Sequence, residues 1–140
     1  MENYSAAGKS AIGLDANLAA ALGYPIGILG LINFFLDKEN KFVRFHGIQS
    51  VLYSVIVSVV FTAIWIFLAI VGMIMSQISG ALAALIGILY VLLFLVFMVL
   101  WFGVLLYCGY RAYQGQTFKL PVVGNFAEKI VGEQKFLGPS

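Results

Sequence analysis

Two long stretches of this chain carry no Asp, Glu, Lys or Arg, and their lengths predict its architecture. The first runs from Ala16 to Leu36, between Asp15 and Asp37. Its 21 residues match the ~20 that a helix needs to cross a ~30 Å hydrocarbon core. The second runs from Phe45 to Tyr110, with His46 as its one imidazole. As a single helix its 66 residues would reach roughly 100 Å, longer than any bilayer is thick. The run therefore predicts a fold-back, at Ser76-Gln77-Ile78-Ser79-Gly80, its one cluster of small polar residues and glycine. Three transmembrane helices follow, over about 17–36, 49–75 and 81–110. The apolar runs are continuous rather than alternating, which excludes a β-barrel. Pro25 lacks an amide donor and predicts a kink in the first span.

Beyond Arg111 the chain is too polar to span. Gly115 ends the third helix, and Pro121 biases Leu120 towards extended backbone. Asn125 is placed to cap a short amphipathic helix over residues 126–131, with Phe126 and Ile130 on one side. Such a helix lies at a membrane surface or on a partner. The expected organisation is an extracytoplasmic tail at 1–16, a three-span domain at 17–113 and a cytoplasmic tail at 114–140.

Charge orients this arrangement. Lys38, Lys41 and Arg44 lie between the first two spans, and Arg111, Lys119, Lys129 and Lys135 follow the third. Three spans put both groups on one side, so seven of the eight basic residues share a face. The positive-inside rule assigns that face to the cytoplasm, with the N-terminus outside. The expected fold class is an all-α, multi-pass protein of the cell inner membrane, N-out and C-in.

Composition agrees. Hydrophobic residues make up 62% and charged residues 10%, against about 25% charged in a soluble domain. A net charge of +2 without a basic patch excludes nucleic acid as a partner. Cys108 is the only cysteine, so no disulfide forms within the chain, and one thiol with one imidazole is too few for a metal site. No nucleophile–base pair, carboxylate dyad or phosphate loop is present. The chain reads as a non-enzyme that requires no cofactor.

The candidate positions are few. His46 stands on one helix face with Gln49, Ser50 and Tyr53. A cofactor or metal ligand is one reading of it; an interfacial histidine bonded to a neighbouring helix is the favoured one. Gly47, Ser50, Ser54, Ser58 and Thr62 step by three or four residues along the second span. Such a stripe lets another helix approach closely and exchange hydroxyl bonds. Gly23 and Gly27 form a GxxxG pair in the first span.

Two stretches resemble a known family. Glu39-Asn40-Lys41-Phe42-Val43-Arg44-Phe45-His46 with Gln49-Ser50, and Gly115 with Phe118-Lys119-Leu120-Pro121-Val122-Val123-Gly124, look like the paired signatures of the small bacterial and archaeal Tic-twenty-like membrane proteins. That family is of uncharacterised function and is distantly similar to a four-span chloroplast inner-envelope protein-import component. The resemblance implies that Arg44, His46, Gln49, Leu120 and Pro121 form one cytoplasmic-face feature; three-span connectivity puts both stretches on that face, so the tail is expected to fold back onto the loop between spans one and two. The expected function is an accessory or scaffold subunit that contacts lipids and packs against other membrane proteins or itself. A respiratory or photosynthetic assembly is a candidate host. The alternative is an oligomeric transport or protein-translocation component.

Overall fold

The computed structural model describes residues 4–133. Among these residues five helices follow in order: α1 (Ala16–Leu22), α2 (Gly27–Leu36), α3 (Lys41–Ile78), α4 (Gly80–Tyr113) and α5 (Val123–Glu133). No strand occurs among the described residues; the nearest to one is an isolated bridge between Lys9 and Asp15. Two helices, α3 and α4, are long and apolar enough to cross a membrane.

The first expected span differs. It is not one kinked helix over 17–36 but two short ones, α1 and α2, that fold back on each other. Pro25 cannot donate to a helical ladder, and Gly23 before it ends α1. The reversal is held by the Asn33 amide, which donates to the Ala19 carbonyl at 2.7 Å. Gly23 and Gly30 let the two backbones touch: a Cβ on Gly30 would come within 2.9 Å of the Gly23 carbonyl oxygen. Both ends of the pair therefore meet, and the Ala11 amide donates to Asp37 Oδ1 at 2.6 Å.

The other boundaries also move. Helix α3 starts at Lys41, where the Asn40 side chain caps it by accepting from the Val43 amide at 3.3 Å. The expected five-residue turn shrinks to Ser79, between α3 and α4. Ser76 turns its hydroxyl onto the Met73 carbonyl and stays helical, as backbone does where water is scarce. Helix α5 is longer than expected and starts two residues before Asn125. Its inward positions are Val123, Ala127 and Val131, while Phe126 points outward.

The chain divides into two compact units. Val55–Gly103 is one; the segments up to Ser54 and from Val104 onward form the other. Within Val55–Gly103 no residue is buried. Its helix segments are joined by an aromatic cluster: Phe61 stacks on Phe97 at 4.2 Å and on Trp65 at 4.8 Å, and Trp65 lies 6.0 Å from Phe94. Tyr90 donates to the Leu68 carbonyl and lays its ring over Gly72. The outward side chains are almost wholly aliphatic and aromatic, a surface suited to hydrocarbon.

The other unit has a dense core of Tyr24, Phe42, Val43, Phe45, Cys108 and Ala112 with the inward face of α5. Here α2 meets α3 through Gly47, whose absent Cβ would lie 2.6 Å from the Gly30 carbonyl oxygen. Gly47→Ala is therefore expected to lower stability by about 1–3 kcal/mol, the usual cost of overpacking against backbone. Gly27→Ala, which meets open space, is expected to cost nothing measurable. Thermal unfolding of the two variants in detergent micelles checks the contrast; equal melting points would refute the close α2–α3 contact.

Candidate functional site: a closed polar network

Tyr24, at the turn between α1 and α2, is buried, as are His46 and Gln49 one helical turn apart on α3. Three polar side chains in an apolar core are costly unless they satisfy one another. They do so, and with the imidazole neutral, as burial with no carboxylate among its bonded partners favours, hydrogen-bond chemistry fixes every proton. His46 Nε2 lies 3.1 Å from the Gln116 carbonyl, which can only accept, so Nε2 carries the hydrogen. Gln49 Nε2 donates to the Tyr24 hydroxyl at 2.7 Å and to the Phe118 carbonyl at 2.9 Å. The Tyr24 hydroxyl then donates its own hydrogen to His46 Nδ1 at 2.8 Å. The imidazole is neutral, and neither nitrogen is free for a ligand. Gln49 Oε1 accepts from the Leu120 amide at 3.0 Å, which completes the side chain.

The loop after α4 is thereby tied to α3 at three backbone positions: Gln116, Phe118 and Leu120. The chain then reverses at Pro121-Val122-Val123, where the Val123 amide donates to the Pro121 carbonyl at 2.7 Å around Val122 at φ 66°. A β-branched residue is strained there, by about 1–3 kcal/mol. Gly124 follows because a Cβ would stand 2.7 Å from Gln49 Oε1. Lys119 pairs with Glu128 across the reversal.

The remaining expected site residues are distributed as follows. Arg44 lays its guanidinium over the Phe34 ring at 4.8 Å. Pro121 is exposed beside the strained turn. Arg111, on α4, stacks on Phe118 at 5.4 Å and on Tyr107 at 5.9 Å. Gly47 and Ser50 face α2, and Ser50 returns its hydroxyl to the Gly47 carbonyl at 2.8 Å. Further along α3, Ser54 and Ser58 are half-buried and Thr62 is exposed. Gly23 and Gly27 do not form a GxxxG face, because the chain reverses between them: Gly23 packs on Asn33 and Gly30, and Gly27 on nothing.

Four participants escaped the sequence reading: Tyr24, Asn33, Asp37 and Gln116. Asn33 was signalled, as the one polar side chain in Gly27–Leu36. Asp37 is almost fully buried. Burial raises its carboxyl above the ordinary carboxylate range, and the Ala11 amide opposes that shift. Gln116 takes part only through its carbonyl, which no side-chain pattern reveals. A surface cleft of about 450 Å³, lined by Tyr4, Ser5, Lys9, Glu39 and Lys41, receives none of the network's atoms. Among the described residues no three His, Cys, Asp or Glu side chains converge as a metal site would require.

Comparisons with known proteins agree on the kind of chain this is. The model of the magnetosome magnetite crystal formation protein family matches residues 10–127. A UPF0132 membrane protein of Methanocaldococcus jannaschii is 34% identical over 125 residues, covering 87% of this chain and 94% of that protein. A UPF0132 membrane protein of Archaeoglobus fulgidus is 34% identical over 126 residues, covering 85% and 98%. A second from Methanocaldococcus jannaschii is 32% identical over 127 residues, covering 88% and 75%. None of these names speaks of protein import. No solved structure matches the chain.

Removing the Tyr24 hydroxyl with Tyr24→Phe leaves buried His46 Nδ1 without its donor, and is expected to cost about 1–3 kcal/mol. Gln49→Leu unties Phe118 and Leu120 together, so trypsin is expected to cut after Lys119 faster than in the parent protein. Thermal unfolding and limited proteolysis read the two effects. Unchanged melting for Tyr24→Phe, or unchanged cleavage for Gln49→Leu, would show that the network is not what holds the tail.

Proposed function

This chain belongs to the magnetosome magnetite crystal formation protein family, and from that premise we propose that it is a non-catalytic, multi-pass scaffold of the cell inner membrane. The observation that carries the reading is the Tyr24–His46–Gln49 network. Its side chains spend their donors and acceptors inside the chain, so the most polar buried cluster is a fastening and not a reaction centre. What the protein offers its surroundings is apolar helix. Its partners are lipids and other integral membrane subunits or further copies. The mineral in the family's description enters only as a setting, in which a membrane protein organises neighbours instead of performing bond chemistry.

The fold-back of α1 on α2 changes the expected topology. Two helices cross: the uncharged parts of α3 and α4, residues 45–78 and 80–110, are roughly 51 and 46 Å long, enough for a ~30 Å core with strong tilt and with Gly47 in the cytoplasmic leaflet. Lys9, Lys38, Lys41, Arg44, Arg111, Lys119 and Lys129 all lie outside these crossings. Two crossings put both chain ends on one side, and the positive-inside rule makes that side the cytoplasm. On this reading the arrangement is N-in and C-in, with Ser79 outside, in place of the expected N-out one.

Single cysteines at Lys9, Lys38 and Ser79, each in a Cys108→Ala background, test this in intact cells with an impermeant maleimide. Ser79→Cys is expected to label at once, and Lys9→Cys and Lys38→Cys only after permeabilisation. Labelling of Lys9→Cys without permeabilisation would restore three crossings. For the scaffold itself, Ser58→Leu is expected to reduce co-purification of neighbouring membrane proteins, with Ser58→Ala near parental. A Ser58→Ala variant that alters solute flux with assembly intact would favour transport instead.

A further inference from the structure

Helix α2 has two unlike faces. Gly30 and Asn33 are buried against α1 and α3. On the opposite side Ile28, Leu31 and Phe35 recur at three and four residues, exposed by 67%, 42% and 64%, with Leu36 at 57%. Nothing from Ala16 to Leu36 is charged. A stripe this apolar calls for an occupant other than water.

We infer that the outer face of α2 lies on the acyl chains of one lipid leaflet, making α1–α2 a re-entrant hairpin that enters and leaves by the cytoplasmic face. The inference rests on the membrane reading above. Three observations favour lipid over a protein partner. First, the length is that of a half-crossing: ten residues span roughly 15 Å. The chain must also return, since Asp37 binds the Ala11 amide. Second, between α1 and α2 every backbone amide is used. Gly23, Tyr24 and Ile26 donate to the carbonyls of Ala19, Ala21 and Leu22, and Pro25 has no hydrogen to give. Irregular backbone is tolerated at membrane depth only when so satisfied. Third, the stripe ends at cations. Lys38, Lys41 and Arg44 follow within eight residues of Leu36, interleaved with the buried Asp37 and the exposed Glu39, and these cations are suited to headgroup phosphates above a buried apolar face.

Nitroxide labels at Ile28→Cys, Leu31→Cys and Phe35→Cys, in Cys108→Ala full-length protein, test this. The protein is held in nanodiscs of phosphatidylethanolamine and phosphatidylglycerol. Collision rates with oxygen, which concentrates in hydrocarbon, are compared with those of a water-soluble nickel chelate. Oxygen is expected to exceed the chelate several-fold at all three sites, with the order reversed at Lys38→Cys. Chelate exceeding oxygen at the three sites would place α2 in water, and low rates for both would place it under protein; either result overturns the inference. Val59→Cys and Val99→Cys separate the two readings. Oxygen preference there, without it on α2, defeats the hairpin alone, whereas its loss at every site defeats the membrane reading and the hairpin with it.

Discussion

The Tyr24 hydroxyl is the point on which the Met1–Ser54 and Val104–Ser140 unit depends. It accepts from Gln49 and donates to His46, and so links the α1–α2 turn to α3. Through those same two side chains it is linked to the loop after α4. One hydroxyl thus joins segments that stand far apart in sequence. Neutral hydrogen bonds contribute only about 1 kcal/mol each to stability, but a buried partner left unsatisfied costs up to about 3. The network consequently acts less by its strength than by exclusion. Any packing that separates Tyr24 from His46 and Gln49 strands polar atoms in an apolar core.

Close backbone contact is the second constraint and follows from the first. For Tyr24 to reach α3, the α1–α2 pair must lie almost in contact with it. Glycine at positions 30 and 47 permits that approach. Gly109 on α4 does the same for α1, since a Cβ there would stand 3.1 Å from the Ala21 carbonyl oxygen. In a bilayer, hydrophobic burial cannot drive one helix against another, and small residues with short contacts do so instead. The aromatic pairing of Phe61, Trp65, Phe94 and Phe97 is the corresponding device within Val55–Gly103, where large stacked rings take the place of small residues.

What was legible in the sequence was whatever depends on charge and length. The uncharged run from Phe45 to Tyr110 could only be two apposed helices, and α3 and α4 are those helices. The return of the tail towards Gln49 was also foreseeable, on the resemblance and the shared face. What was not legible depends on side chains meeting across the fold. Ala16 to Leu36 has the length of one crossing, and nothing in its hydropathy distinguishes a crossing from a reversal. The reversal is decided by the Asn33 amide reaching the Ala19 carbonyl and by Asp37 reaching the Ala11 amide. Half of each pair is backbone, which a residue pattern does not display. The GxxxG reading of Gly23 and Gly27 failed for the same reason: the spacing means a shared face only where the helix is unbroken.

Val122 shows where the network's demands end up. Gln49 Oε1 takes the Leu120 amide, and its carboxamide nitrogen takes the Phe118 carbonyl, so both ends of one rigid group grip alternate residues of an extended segment. That segment must then become α5 within three residues, because Val123 is already helical and buried. Pro121 has a fixed φ and cannot absorb the change. Gly124 lies against Gln49 and Lys119 with no room for a side chain. Val122 is the residue left between them, and it takes the left-handed conformation. Glycine would adopt that conformation without strain, but it would also remove an exposed apolar side chain just before α5. Local strain at Val122 is therefore the geometric consequence of fastening a surface helix to a buried glutamine.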